Sequence, residues 1–313
     1  MGGPPGETVM SAPAETAEEV RGSASFGREA WRRVWRSRTA RACLAVLAVF
    51  TAAAVWAEAA NAWYYCKDVT PPWQAQNLAE RYLPPSGGHW LGTDGLGRDV
   101  GLRLVQGARI AFQVGVVSSL IAIPIGVLLG CLGGYFGGRV DDGVVWLSTT
   151  FASIPGLLFV LSIAMVVGKG LLGVFLAIGL TTWVGVCRLT RAEVIRQKAL
   201  GYVRAAQVLG FSSLRILFRH ILPNVVHVAV VSFTLRFPAA IGTEVFLSFL
   251  GIGAQGQPSW GTMISSARLR LWQGMWWELA AVTAVIFAVV LAFNLLGDVL
   301  RDALDPRLRT AAE

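Results

Sequence analysis

The stretch Tyr202–Asn224 reads YVRAAQVLGFSSLRILFRHILPN and lies between two segments that are apolar enough to be buried in a membrane. It carries Arg204, Arg215, Arg219 and His220, and ionisable side chains of this kind are costly in the hydrocarbon region. The stretch is therefore predicted to lie at the membrane surface, between two spans.

Within this stretch, Tyr202–Leu209 is predicted to form a short amphipathic helix. Gly210 follows and suits the left-handed position after a helix end, because it has no Cβ. Ser212 or Ser213 can cap a second short helix, and Pro223 is predicted to open the next span, where a missing N–H costs little. The pattern leaves two interpretations open: a solvated basic loop, or an elbow that another protein holds.

The composition is that of an integral membrane protein. Of 313 residues, 54% are hydrophobic and only 15% are charged, and the mean hydropathy is +0.56. The net charge is +8, but the basic residues flank apolar spans and no module for reading nucleic acid is apparent, so no nucleic-acid partner is expected. The four cysteines show no metal-binding spacing, and no metal site is predicted.

Hydropathy predicts an all-α, polytopic protein with six transmembrane helices, the third of them kinked at Pro155. The segments placed in the cytoplasm hold 18 of the 27 Lys and Arg residues, which predicts that both termini are cytoplasmic. The spans are expected at about 42–62, 109–134, 144–168, 171–186, 223–249 and 276–296. The predicted domain organisation is a disordered tail at 1–25, a basic juxtamembrane segment at 26–41, the first span with an external segment at 42–107, a core transmembrane domain at 108–300 and a cytoplasmic tail at 301–313.

The external segment contains the string HWLGTDGLGRD at residues 89–99. Asp94 and Asp99 among glycines could suggest calcium, but two carboxylates without further ligands make a poor site. The string instead favours a turn whose backbone is capped by aspartate.

Two ionisable residues, Arg236 and Glu244, fall inside the fifth predicted span and need an explanation. They are eight residues apart, which places them about 80° from each other around an ideal helix. One interpretation is an internal ion pair that holds a helix bent at Pro238. The other places Arg236 on a translocation path, where it meets a substrate carboxylate.

Several strings together resemble the C-type permease subunits of dipeptide, oligopeptide and nickel ABC importers, over about residues 28–309. The elbow is similar to the EAA motif of such permeases, although Arg204 stands in place of the glutamate that names the motif. The other strings are LGTDGLGRD at 91–99, GYFGGRVD at 134–141, EVFLSFLGIG at 244–253, PSWG at 258–261 and NLLGDVLRDALDP at 294–306.

The resemblance implies the type I importer permease fold in a bacterial plasma (inner) membrane. It also implies four partners: a homologous second permease, two cytoplasmic ATPase subunits and a substrate-binding protein outside. ATP and Mg²⁺ would be bound by the ATPases, since no ATP-binding motif is present in the sequence. This chain is then expected to be no enzyme, with no catalytic residue, no metal and no cofactor of its own. Peptide is favoured over nickel or another small solute as cargo.

The resemblance also implies roles for individual residues. Those expected to couple the chain to the ATPases are Tyr202, Arg204, Ala205, Ala206, Leu209, Gly210, His220 and Pro223. The external signature comprises Gly92, Thr93, Asp94, Gly97, Arg98 and Asp99. The tail residues expected to pair with basic loops or with an ATPase are Asp298, Arg301, Asp302 and Asp305. His220 is expected to form a structural hydrogen bond.

The rival class is an ion-coupled secondary transporter or a channel. Such transporters often carry mid-membrane carboxylates and inverted repeats. Here Glu244 is the single candidate carboxylate, and no internal repeat is evident in the sequence.

Overall fold

A computed structural model of the chain describes residue 35 and residues 37–304. The predicted tail at 1–25, most of the basic segment at 26–41, and Asp305 lie outside the described residues. In the described part every regular element is a helix, and the extended pairing consists of an isolated antiparallel bridge between Thr93 and Asp99.

The helices follow each other in a simple order. They are α1 (Arg38–Cys66), α2 (Val100–Phe136), α3 (Gly138–Ser153), α4 (Gly156–Val167), α5 (Leu171–Lys198), α6 (Gly201–Val208), α7 (Ser213–Arg215), a π-helix (Ile216–Ile221), α8 (Leu222–Phe249), α9 (Trp260–Ala267) and α10 (Trp277–Leu304), with short 3₁₀ turns at Leu78–Glu80 and Arg268–Gln273.

Five helical runs of the described chain are long and apolar enough to cross a membrane: α1, α2, α5, the run Ser213–Phe249 and α10. The pair α3 and α4 makes a sixth span if it is taken as one, and it bends by 90° between them. The bend lies at Ile154 and Pro155, because a proline disfavours the helical conformation of the residue before it. The kink expected at Pro155 is thus a complete break.

Two helices extend further than hydropathy predicts. Helix α2 begins at Val100, where the side chain of Asp99 accepts a hydrogen bond from the N–H of Leu102, and not near 109. Its first turns carry Arg103 and Arg109, which are buried against protein and not against lipid. Helix α5 likewise continues to Lys198, beyond the predicted end of the apolar stretch.

The described chain has two faces. The elbow, defined as residues 201–221, shares one face with the end of α2, where Lys198 Nζ donates to the carbonyl of Tyr135 at 2.7 Å. On the opposite face, Gly170 donates to the carbonyl of Ile252, and Trp277 Nε1 donates to the carbonyl of Thr93. We refer to these as the elbow face and the opposite face.

Helix α2 packs closely on α5 through glycines at four-residue spacing. A Cβ added at Gly130 would lie 2.6 Å from the carbonyl oxygen of Cys187, and one added at Gly126 would lie 2.7 Å from that of Trp183. Such contacts are possible only with small residues, which let helix backbones approach in a membrane. Gly126 and Gly130 thus allow the close approach of α2 to α5.

An aromatic cluster joins α1, α2, α8 and α10. Phe237 of α8 stacks on Phe293 of α10 at 4.3 Å between ring centroids, and it meets Phe50 and Phe112 at 6.3 and 6.1 Å. Gly115 of α2 makes room for the Phe237 ring, since a Cβ there would lie 2.5 Å from it. This cluster holds the first helix against the rest of the bundle.

Candidate functional site

The elbow has the helix–glycine–helix shape that the sequence predicts. Helix α6 ends at Val208, and Gly210 adopts the left-handed conformation with φ of 77°. Its N–H donates to the carbonyl of Gln207, and the N–H of Phe211 donates to that of Ala206. These two bonds satisfy carbonyls that the helix end would otherwise leave free.

The second half of the elbow differs from the prediction. Ser212 stands at the N-cap position of α7 without a side-chain capping bond, and the α-helical turn gives way to the π-helix after three residues. Pro223 lies at the start of α8, as predicted, although the helical run to which α8 belongs already begins at Ser213. A proline cannot donate to the carbonyl four residues earlier, and its ring clashes with it, so the wider π turn accommodates Pro223.

The elbow helix has one buried face and one exposed face. Val203 and Ala206 are buried in a cluster with Ile216, Leu217 and Ile221 of the π-helix. Val208 and Leu209 are 88% and 72% exposed. Of the predicted coupling residues, Ala206 therefore packs inward, whereas those that face outward are Arg204, Ala205, Leu209, Gly210 and Pro223.

Hydrogen bonds tie the elbow to the two flanking spans. The Tyr202 hydroxyl donates to Gln197 of α5 at 2.8 Å and accepts from Asn224 of α8 at 3.3 Å. Burial raises the pKa of the Tyr202 phenol, so that the hydroxyl keeps its proton and can donate. One phenol group thus joins α5, α6 and α8.

The sequence predicts a structural hydrogen bond for His220, and the structure shows a stacking contact of its ring. Its ring stacks on Phe211 at 5.7 Å between centroids, with 16° between the planes. The Arg215 guanidinium lies over the Phe211 ring, 5.7 Å from its centroid. The stacked pair connects the residue after Gly210 to the end of the π-helix, so His220 braces the elbow through its ring.

On the opposite face, the external signature forms the aspartate-capped turn that the sequence predicts. Asp94 accepts from the N–H groups of Leu96 and Arg98 at 2.8 and 3.0 Å and forms an ion pair with the Arg98 guanidinium at 2.7 Å. Burial acts to raise the pKa of Asp94, but the bonds from Arg98 and Leu96 outweigh it and lower the pKa. No group of three metal-ligating side chains occurs among the described residues.

The remaining signature residues serve the same turn. Asp99 caps α2 and also pairs with His89 at 2.8 Å, and this bond raises the pKa of His89. Thr93 donates to the carbonyl of Glu80 and accepts from the N–H of Leu83. Gly97 has φ of 72° and touches the carbonyl of Asn77 so closely that a Cβ has no room.

Sequence reasoning missed a cluster of charges beneath this turn. Arg103 Nε lies 3.5 Å from Asp94, and Arg270 lies 3.6 Å from Glu278 of α10. Arg109 donates to Gln257 at 2.6 Å and lies 3.5 Å from Glu58 of α1. The sequence does show these charged residues at the ends of apolar stretches. Their position did not reveal the cluster, because charged residues that merely flank a membrane span occupy the same positions.

The fifth span does not contain the expected Arg–Glu pair. Glu244 is 1% exposed and accepts a hydrogen bond from Ser248 at 2.6 Å. No ion pair joins it to Arg236 within residues 37–304, because eight residues of helix separate the two by about 12 Å along the axis. The pairing interpretation is therefore wrong.

Arg236 instead lines a small cavity between α2, α5 and α8. The cavity has a volume of about 40 Å³ and is lined in part by Ser119, Thr182 and Thr243. The hydroxyl of Ser119 is buried there without a hydrogen-bond partner. A Cβ added at Gly185 of α5 would lie 3.0 Å from the Arg236 guanidinium, so Gly185 leaves room for this cation.

At the end of α10, Asp298, Arg301 and Asp302 are exposed, and within the described part of the chain none of them forms an ion pair with a basic loop.

This fold belongs to the class of membrane-embedded importer components. Residues 122–310 match the family described as binding-protein-dependent transport system inner membrane component, and residues 25–85 match the N-terminal TM domain of oligopeptide transport permease C. The chain belongs to the first of these families. A chain of the MetNI methionine ABC transporter, in inward-facing conformations, shares the fold with a TM-score of 0.51 at 16% identity, over 65% of this chain and 96% of that one.

Within that class, the chain is similar to C-type permeases of peptide importers. It is 39% identical to the dipeptide transport system permease protein DppC of Bacillus subtilis, over 92% of this chain and 88% of the relative. It is 41% identical to the oligopeptide permease OppC of the same organism, over 74% and 76%. It is 37% identical to the glutathione permease GsiD of Pectobacterium atrosepticum, over 90% and 92%. The resemblance predicted from the motifs is confirmed, and the ion-coupled transporter or channel is not favoured.

Proposed function

We propose that this chain forms half of the translocation pathway of an ATP-driven importer for short peptides. Its relatives at 37–41% identity are permeases named for dipeptides, oligopeptides and glutathione, which share an amide-linked backbone with a free carboxylate. A homologous permease would supply the other half of the pathway, and a substrate-binding protein would deliver the cargo to the opposite face. ATP and Mg²⁺ are assigned to two ATPase subunits on the elbow face, which makes that face cytoplasmic.

The elbow is assigned to the contact with an ATPase, and this single feature carries the proposal. Val208 and Leu209 extend two exposed apolar side chains from the end of a short helix whose exposed face also carries Arg204 and Gln207. An amphipathic helix that presents such anchors suits a groove on a partner. Arg204 lies on the exposed side, where it presents a cation in place of the glutamate of the motif.

The hydrogen bonds of Tyr202 are assigned to the transmission of movement. When the ATPases close on ATP, a displaced elbow pulls on α5 through Gln197 and on α8 through Asn224. The buried contacts of Val203 and Ala206 with the π-helix keep the elbow rigid during that displacement. The exposed tail residues Asp298, Arg301 and Asp302 lie on the same face and are assigned to the same partner.

Arg236 is assigned to the translocation path. It lies about 21 Å along α8 from Leu222, which is near the middle of a bilayer-spanning helix. Its cation has hydroxyl groups around it and no counter-ion within residues 37–304, so the carboxylate of a passing peptide can serve as a transient partner. Glu244 is assigned a structural role, because Ser248 donates to it and in turn accepts from Ala254 of the following loop.

The test replaces Gly210 with valine. The position has φ of 77° and open space around it, so a β-branched residue strains the elbow backbone without any steric clash. In the complex reconstituted with its partner permease, ATPases and binding protein, Gly210→Val is expected to reduce ATP-driven dipeptide uptake at least fivefold. The matched control is Gly274→Val, because Gly274 has φ of 81°, open surroundings and a place on the opposite face.

Equal uptake by the two variants would contradict the role of the elbow. Peptide uptake without nucleotide hydrolysis by any associated subunit would contradict the function as a whole, as would labelling of residues 201–221 from the extracellular side of intact cells.

A further inference from the structure

The opposite face contains a second, larger cavity, which we call the arginine cavity. It has a volume of about 430 Å³ and lies between the external segment, the start of α2, the loop after α8 and helix α9. The residues that line it are Gln74, Arg98, Arg103, Ser248, Gly251, Ala254, Gln255, Gly256, Gln257, Pro258, Thr262, Ser265 and Ser266. A volume of this size falls in the range of small-molecule sites, which is about 300–1,000 Å³.

All charged side chains that line the arginine cavity are positive. The lining contains two arginines together with glutamine, serine and threonine side chains, and it contains no aspartate or glutamate. Behind the lining, Asp94 is shared by Arg98 and Arg103, Glu278 faces Arg270, and Glu244 accepts a hydrogen bond from the lining residue Ser248. Of these charged groups only the two arginines line the cavity itself, so its wall presents positive charge and no carboxylate.

One of these arginines, Arg103, has a buried N–H group without a hydrogen-bond acceptor. Arg103 is 6% exposed, and its Nε has no hydrogen-bond partner and reaches Asp94 only at 3.5 Å. A buried donor of a charged group is costly to leave without an acceptor, so a ligand that supplies an acceptor gains in affinity. A carboxylate matches an arginine better than other anionic groups of small solutes except phosphate, because it can accept two parallel hydrogen bonds.

We propose that the arginine cavity binds the carboxylate of a peptide-sized solute on the opposite face, before the solute reaches Arg236. The inference rests on the proposed function for the identity of the cargo. The amide and hydroxyl groups of the lining suit a peptide backbone, and Gln257 connects the cavity to α2 through its bond with Arg109. Two cationic sites along one path would let a carboxylate pass from the opposite face to the middle of the bundle.

The experiment measures the electrostatic potential inside the arginine cavity. Gln255→Cys places a thiol on an exposed lining position, and Gln76→Cys places one on the same face outside the lining. Both are made in a Cys66→Ser background, since Cys66 is exposed and the other three cysteines are buried. The complex with its partner permease and ATPases, in nanodiscs without binding protein, is labelled with an anionic and a cationic methanethiosulfonate reagent of similar size.

The expected result is a ratio of anionic to cationic labelling rates at least fivefold higher at position 255 than at position 76. Alanyl-alanine is expected to slow the labelling of Gln255→Cys, and alanyl-alanine amide is expected to have no effect. Adding Gln74→Glu, which places a carboxylate in the cavity and retains Arg103 for Asp94, is expected to remove both effects.

Equal rate ratios at the two positions would overturn the proposal, as would equal protection by the free acid and the amide. Protection that requires an added binding protein would show that an acidic side chain of that protein fills the cavity, and this outcome also overturns the proposal. ATP-driven uptake, measured separately in the same complex, reports on the proposed function alone, so the two ideas fail independently.

Discussion

The hydroxyl of Tyr202 is predicted to transmit the movement of the elbow to the spans. Tyr202→Phe removes this single group and leaves the ring in place, so no cavity is created. The change deletes the bond to Gln197 at 2.8 Å and the bond from Asn224 at 3.3 Å. Each bond contributes about 0.5–1.5 kcal/mol. The combined loss of about 1–3 kcal/mol corresponds to a change of about 5–150-fold in an equilibrium between two conformations.

The assay measures peptide uptake and ATP hydrolysis in the same proteoliposomes. Because we propose that an ATPase docks on the exposed face of α6 and not on the Tyr202 hydroxyl, hydrolysis is expected to change less than twofold while uptake per ATP falls about fivefold or more. Tyr65→Phe is the control, since Tyr65 is 87% exposed at the far end of α1. A Tyr202→Phe variant with unchanged uptake per ATP would refute the reasoning that the phenol links the elbow to both spans.

Three further outcomes are expected. Arg236→Gln should reduce uptake of alanyl-alanine at least fivefold with normal expression, whereas unchanged uptake would remove Arg236 from the path. Gly130→Ala should destabilise the bundle by about 1–3 kcal/mol, because its Cβ would meet the Cys187 carbonyl at 2.6 Å. Gly242→Ala is the control, since Gly242 lies in open space on α8. Equal melting temperatures of the two variants in detergent would contradict the close α2–α5 contact. The pKa of His89 is raised from 6.5 by the bond to Asp99, so its contribution to stability is full below that value and is lost as the pH rises through the raised pKa. The protection of residues 80–99 against hydrogen exchange, relative to the intrinsic exchange rate at each pH, should accordingly fall as the pH rises through the raised pKa of His89, and His89→Gln should abolish this fall. A variant that keeps the dependence would show that another group causes it.

The membrane spans could be predicted from local hydropathy, but their ends could not. Arg103 and Arg109 belong to helix α2 although their charge argues for a place outside the membrane. They are tolerated because Asp94, Glu58 and Gln257 approach them from other parts of the chain. The free energy of a buried charge depends on its partners, and partners distant in sequence are not visible in a window of neighbouring residues.

Span five illustrates the same limit. The sequence correctly predicts that Arg236 and Glu244 need an explanation, and the rise of a helix over eight residues already separates them by about 12 Å along its axis. The tertiary structure supplies the surroundings of Arg236, since Gly185 of another helix makes room for it, while Ser248 binds Glu244. A side chain finds its partner through the packing of helices, and that packing depends on small residues in a helix far away in sequence.

The sequence by itself determined the class of protein, the order of the spans, the glycine turn of the elbow and the aspartate-capped external loop. Each of these depends on hydropathy or on hydrogen bonds between residues a few positions apart, so nearby residues carry the information. The prolines at 155 and 223 act locally, and the structure shows that the first breaks its helix and that a π-helix precedes the second. Only the tertiary structure decided the surroundings of Arg236, the burial of Arg103 and Arg109, and the arginine cavity, because these arise where helices distant in sequence meet.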